Sequence, residues 1–287
     1  MFYLSDAELD KLLLDDIAYG DLTTRALGFG RQAGKMTFCR QKAGRVSGVA
    51  IAARLLQKLG LEVVIQEQDG ADVNAETVLL TAFGQAENLH QGWKVAQNVL
   101  EWCSGVAQYM AQMLASAHEI NPLVQIACTR KSIPGTKSLA IAAVIDGGGI
   151  LHRAGTAESV LLFANHRHFY AQPDDWAAMV TRLKYAAPEK KIIVEADNIE
   201  EAFAALAAQA AQAAQADIVQ LDKFTPEEFA LVLAKQQILA PMSLLSAAGG
   251  VTLLNIAEYV RAGAQLLVTS APYYAPPADI KVELKPV

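Results

Sequence analysis

From Asn121 onward the chain repeats one pattern: a short run of aliphatic and β-branched residues, then a stretch with helical spacing, then another short run. The runs fall at 123–128, 160–163, 192–195, 218–221, 242–245 and 266–269. Alternation of this kind means parallel strands with covering helices, because parallel neighbours need a long crossover where antiparallel ones need only a tight turn. Runs that occupy roughly 150 residues fall short of the ~250 typical of eight βα units. They fit either a small barrel or a doubly wound sheet, and the expected fold class is α/β with an incomplete barrel of about six or seven strands.

Upstream the pattern is mixed. A capped acidic helix is predicted near 5–16, a loop over 18–24 (AYGDLTT), and strands over 35–40 and 61–66, which together make an α/β N-terminal domain. Between Glu87 and His118 apolar residues recur at helical spacing (Trp93, Ala96, Leu100, Val106, Met110, Met113), with Gly105 as the expected break. The organisation read from this is an N-terminal domain with its connecting helix over 1–108, a barrel domain over 109–272, and a tail over 273–287 that returns to the first domain. The alanine-rich stretch 199–216 reads as a barrel helix, since alanine is the best helix former and Phe203 and Leu206 anchor one face.

Composition narrows the function. A net charge of −6 argues against a nucleic-acid partner, so any anion site must be local. The acidic start lacks a basic leader, and no uncharged apolar run reaches the roughly 18 residues of a membrane span, so no membrane partner and a cytoplasmic location are expected. Cys39, Cys103 and Cys128 lack CxxC spacing and suggest neither disulfides nor zinc.

Polar residues cluster where a parallel α/β sheet binds ligands, at or just past the carboxyl ends of its strands. Thr129-Arg130-Lys131 follows the first run, Asn165-His166 the second, then Glu195, Asp222, Ser246 and Thr269-Ser270. The segment 146–153, DGGGILHR, sets three glycines before His152 and Arg153; glycine permits close backbone approach to a ligand, and Arg153 suits bidentate recognition of a carboxylate or phosphate. Glu195 and Asp222 could hold a divalent metal, bind sugar hydroxyls or stabilise a cationic transition state. Thr225 before Pro226 is the better helix cap than Asp222. Ala248-Gly249-Gly250 before a helix would offer N–H groups to a phosphate, or simply make a tight turn. A cationic half, a carboxylate half and a phosphate loop imply a strongly anionic substrate pair that develops positive charge, as when pyrophosphate leaves phosphoribosyl pyrophosphate.

These residues resemble the quinolinate phosphoribosyltransferases over nearly the whole chain. GDLTT at 20–24 resembles the family's GDxT, Ser104-Gly105-Val106-Ala107 its SGIA, TRKSIPG its TRKTTPG, GGGILHR its GGGxxHR, and AAGGVT its ASGGIT. The resemblance implies phosphoribosyl transfer from phosphoribosyl pyrophosphate to a small aromatic acid, Mg2+ as cofactor, and a homodimer with shared active sites. It also implies that Lys94, Arg130, Lys131, Lys137, His152, Arg153, Phe163, Asn165 and His166 bind substrate, with Lys94 reaching the partner's site. Glu195, Asp222 and Lys131 would be catalytic, the two acids also holding the metal, and Ala248, Gly249, Gly250 and Ser270 would bind phosphate. The departures are specific: Phe163 and Ala164 stand for the lysine and aspartate of KDNH, Lys137 and Lys94 for arginines, Lys223 for an asparagine, Ser246 for a glutamate and Ala248 for a serine. In these the chain resembles the family's ModD branch of pyrophosphorylases associated with molybdate uptake, so a base other than quinolinate is expected. The alternative is a non-catalytic carrier for a phosphorylated or oxyanion ligand linked to molybdate; an aldolase-type Schiff base on Lys131 is disfavoured because nothing there would neutralise the lysine.

Overall fold

The computed structural model describes residues 4–210 and 216–287. It divides into two compact units, one of residues 1–111, 132–148 and 272–287, the other of residues 112–131 and 149–271. The boundary at 111/112 lies inside one helix, Ala86–His118, which runs 33 residues without a break. Gly105 does not interrupt it: a Cβ there would meet the backbone of Pro276 and Pro277, so this glycine permits close packing.

In the first unit an antiparallel sheet has the order Ile280–Pro286, Ala33–Arg40, Thr77–Gln85, Glu62–Ile65. The strand Ala33–Arg40 alternates buried and partly exposed residues, the period-two signature of a sheet with one covered face. Its Met36 and Phe38 pack with Val49, Ala52 and Leu56 of the helix Val49–Lys58, each large side chain contributing roughly 1.5–3 kcal/mol of burial. Helix Asp6–Ile17 starts from a capping box in which Ser5 and Glu8 satisfy each other's backbone N–H groups. The expected loop at 18–24 is partly helical: Asp21 accepts from Thr24 N at 2.6 Å and caps a short helix, Leu22–Leu27, closed by left-handed Gly28. Six residues are too few to establish a helical period in the sequence.

The second unit is built on a seven-stranded parallel sheet in the order Ile150–Leu151, Gln125–Cys128, Leu266–Thr269, Leu244–Ala248, Ile218–Asp222, Ile192–Ala196, Val160–Leu162. Neighbours follow chain order from 160 round to 269 and then return to 125, with the gap between Ile150–Leu151 and Val160–Leu162 left open. A doubly wound sheet reverses direction at a switch point and this one does not, so it is an incomplete α/β barrel. The seventh strand, Ile150–Leu151, is hidden inside the glycine-rich segment. The run expected at 242–245 forms its strand at Leu244–Ala248 instead. Met242 is exposed, whereas Ser246, Ala247 and Ala248 are buried, and their small side chains carry little β signal. Ser246 is therefore mid-strand and wholly buried, not at the rim. Within 199–216 the helix spans Ile199–Ala210, and 211–215 lie outside the described residues. Thr225 caps the helix Pro226–Leu239, leaving Asp222 free of that duty. No helix among the described residues is long and apolar enough to cross a membrane.

Candidate active site

One face of the barrel sheet carries the site. A cavity of about 130 Å³ is lined by Gln220 and Asp222, which share a face because they are two residues apart on one strand, by Leu161 on its strand, and by Thr129, Lys131 and Phe163 just past the strand ends. Arg130, His152, Arg153, Glu195, Ala248, Gly249 and Val268 complete its wall. Below it sits a small apolar layer of Ala127, Ala248 and Val268 with Leu266, which fixes the floor. A wider opening of about 420 Å³ shares Phe163, Glu195 and Asp222 and adds Ala164, Asn165, Asp197 and Lys223.

The cations differ in their surroundings. Arg153 is 8% exposed, and neither it nor Arg130 is in an ion pair among the described residues. Burial first, then the neighbouring Arg130, pull the Arg153 guanidinium below its ordinary pKa, with Glu195 opposing them. Two neighbouring cations with no carboxylate in ion-pair contact among the described residues are an arrangement suited to an anion. His152 donates its backbone N–H to the Cys128 carbonyl at 3.0 Å; burial, then Arg153, bring its imidazole down to about 4, so the ring is neutral at physiological pH.

Phe163 caps the four-residue helix Ala164–Arg167 with its backbone: its N–H donates to His166 Nδ1 at 3.1 Å. The same imidazole stacks on the Phe163 ring at 5.6 Å between centroids, and the Arg153 guanidinium lies 5.5 Å from that ring. The pocket wall is thus an aromatic plane with a cation beside it.

Across the cavity, Gln220 donates from Nε2 to Glu195 Oε2 at 2.6 Å. Burial raises the Glu195 carboxyl to about 7, with Asp222 and Asp197 pushing the same way, while the Gln220 hydrogen bond and Lys131 hold it down. Gln220 is the main residue missed in the sequence. It is the polar interruption in the apolar strand Ile218–Asp222, two residues before Asp222 and so on the same face, a signal the period-two rule makes readable.

Gly249 is required beside Asp222. It is left-handed at φ +77°, and a Cβ would lie 2.6 Å from Asp222 Oδ1 and 2.9 Å from Lys223 N. Lys223 is itself left-handed at φ 62° and donates its N–H to the Ala248 carbonyl at 2.7 Å, so the two turns are locked together. Gly249→Ala is expected to cost about 1–3 kcal/mol, from backbone strain and the displaced carboxylate. Gly250→Ala, where a Cβ meets open space, should cost only about 1 kcal/mol. Urea denaturation of the two variants checks the difference.

Not every expected site residue lines these two cavities. Gly250 and Ser270 line neither cavity. The helix after the glycine turn begins only at Ile256, and the Thr252 N–H is already taken by Asn255 Oδ1 at 2.8 Å, so the turn does not feed a helix N-terminus directly. Gly147 serves packing: a Cβ would lie 2.6 Å from the Ala107 carbonyl oxygen. Lys94 and Lys137 belong to the first unit. There Lys94 donates to Gln97 at 2.8 Å and lies 3.9 Å from the Trp93 ring centroid, and Lys137 opens the helix Lys137–Asp146.

The family model for the N-terminal domain of quinolinate phosphoribosyl transferase matches residues 21–104, and that for its C-terminal domain matches residues 106–283. The chain belongs to the quinolinate phosphoribosyltransferase family. Within it, the chain is 50% identical over 286 residues to an Escherichia coli protein named "Putative pyrophosphorylase ModD", covering 100% of this chain and 99% of the relative. It is 44% identical to the Rhodobacter capsulatus protein of the same name, over 92% of this chain and 98% of the relative. A nicotinate-nucleotide pyrophosphorylase of Mycobacterium leprae is 28% identical, over 93% and 95%. The fold matches that of the Streptococcus pyogenes NadC crystal structure with a TM-score of 0.86 at 21% identity, over 100% of both chains.

Proposed function

We propose that the protein is a cytoplasmic pentosyltransferase that transfers the phosphoribosyl group of phosphoribosyl pyrophosphate to a ring nitrogen of an anionic heteroaromatic base other than quinolinate. The observation that carries this reading is the opposition, in one cavity, of the unneutralised Arg130 and Arg153 to Glu195 and Asp222. The guanidiniums and Lys131 would hold the acid's anion and orient its ring against Phe163. The two carboxylates would stand beside the anomeric carbon, where departure of pyrophosphate develops positive charge. A single arginine-rich wall with Phe163, in place of a further cation, suits a base with less negative charge than a dicarboxylate.

The donor set fits Mg2+ in the way this ion usually binds, through one or two carboxylates completed by substrate phosphates and water. Glu195 and Asp222 would hold it. Among the described residues no group of three His, Cys, Asp or Glu is placed to hold a metal without such help. When bound, the ion would neutralise charge on the departing pyrophosphate. A homodimer in which Lys94 completes the partner's pocket belongs to the same reading.

A carrier for a phosphorylated or oxyanion ligand, molybdate included, would gain nothing from two acids beside its cations. Calorimetry separates the two: binding of phosphoribosyl pyrophosphate in the presence of Mg2+ is expected, and tight binding of molybdate with none of the pyrophosphate would favour the carrier.

A further inference from the structure

On the barrel's inner face Glu195, Gln220 and Ser246 occupy one level of three neighbouring strands, because Gln220 is in register with both of the others. Their side chains therefore point the same way. Gln220 is 4% exposed and Ser246 wholly buried. The Gln220 amide nitrogen faces Glu195 Oε2, the orientation that the ionised carboxylate, which only accepts, requires. Its oxygen is thereby turned away, and Gln220 Oε1 has no hydrogen-bond partner among the described residues, nor has the Ser246 hydroxyl. A hydroxyl can rotate to donate or accept, whereas an amide oxygen can only accept. Buried polar groups are almost always satisfied, and Gln220 lines the cavity although this oxygen has almost no access to free solvent, so a molecule filling the cavity is the donor it calls for.

We infer that Gln220 determines specificity, by accepting a hydrogen bond from an amino, hydroxyl or N–H group on the ring of the heteroaromatic acid that stacks on Phe163. The inference rests on the reading of this cavity as the aromatic-acid pocket. Geometry supports it from three sides. Phe163, Leu161 and Val268 offer apolar walls for a flat ring, Arg130 and Arg153 take the anion, and Gln220 reads the remaining ring substituent. A ring lacking a donor would leave the amide oxygen buried and unpaired, whereas a donor-bearing ring satisfies it.

The experiment uses the full-length protein and compares nicotinate with its ring-amino and ring-hydroxy derivatives, by calorimetry and by pyrophosphate release with Mg2+ and phosphoribosyl pyrophosphate. At least one donor-bearing probe should be favoured over nicotinate by about 10- to 100-fold, the cost of one unsatisfied buried acceptor. Gln220→Met, which keeps the volume and removes the acceptor, should level the two. Gln220→Leu, which equally lacks the acceptor, serves as a second variant should Gln220→Met fail to fold, and should likewise level the two. A preference seen in binding without pyrophosphate release would sink the transferase reading and leave this one standing. Pyrophosphate release with no preference, a preference that survives in Gln220→Met, or no binding of any donor-bearing probe would overturn it, the acceptor then being satisfied by water alone.

Discussion

Arg153→Ala should lower kcat/KM for phosphoribosyl transfer by at least about a hundredfold, the loss typical of one preorganised electrostatic contact in a site shielded from water. The argument lies in its burial. As a residue Arg153 is only 8% exposed while lining the cavity, it is in no ion pair among the described residues, and its guanidinium lies 5.5 Å from the centre of the Phe163 ring. Alanine removes a charge, a planar fork and one side of the aromatic wall together. Arg153→Lys should fall between, since lysine keeps the charge and loses the bidentate geometry. Pyrophosphate release, with circular dichroism confirming the fold, measures both; an unchanged rate in the alanine variant would remove Arg153 from the site.

Glu195→Gln should abolish turnover and yet make the ligand-free protein more stable at pH 8. Burial raises the Glu195 carboxyl from an ordinary 4.5 to about 7, so the folded state binds a proton that the unfolded state has already released. The stability tied to that proton is fully present below about 4.5 and is lost as pH rises through about 7. Above that, the wild type keeps a carboxylate partly desolvated between Asp222 and Asp197. Glutamine removes the charge and can still accept from Gln220. Discounting for partial exposure, the gain at pH 8 is about 1–2 kcal/mol, and it should vanish near pH 4.5. Metal-free urea titrations at the two pH values measure it, and equal destabilisation at both would refute the desolvation argument. A group that costs stability where activity needs it ionised is a mark of a working site.

Much of this architecture could be read from the chain because local signals and packing agree. Valine- and isoleucine-rich runs such as Ile192–Ala196 announce buried parallel strands, and the polar residue at the end of each marks the binding edge. Capping boxes at Ser5 and Thr225 placed helix starts correctly. What stayed hidden depends on contacts distant in sequence. Gly105 and Gly147 read as a break and a ligand loop, but each instead admits a neighbouring backbone. Leu244–Ala248 was displaced because serine and alanine carry no strand signal, although their small size lets the layer beneath the cavity close. The role of Gln220 is not evident from its place beside Asp222, since the value of its amide comes from Glu195 on the next strand.

The most direct test of the central claim is pyrophosphate release by the purified full-length protein supplied with Mg2+, phosphoribosyl pyrophosphate and a broad pool of heteroaromatic acids, with mass spectrometry of the products. Release that requires an acid from the pool, together with a new ribosyl phosphate adduct of that acid, is the predicted result. No release above the acid-free control, from a folded protein that shows no binding of phosphoribosyl pyrophosphate with Mg2+ by calorimetry, would contradict it.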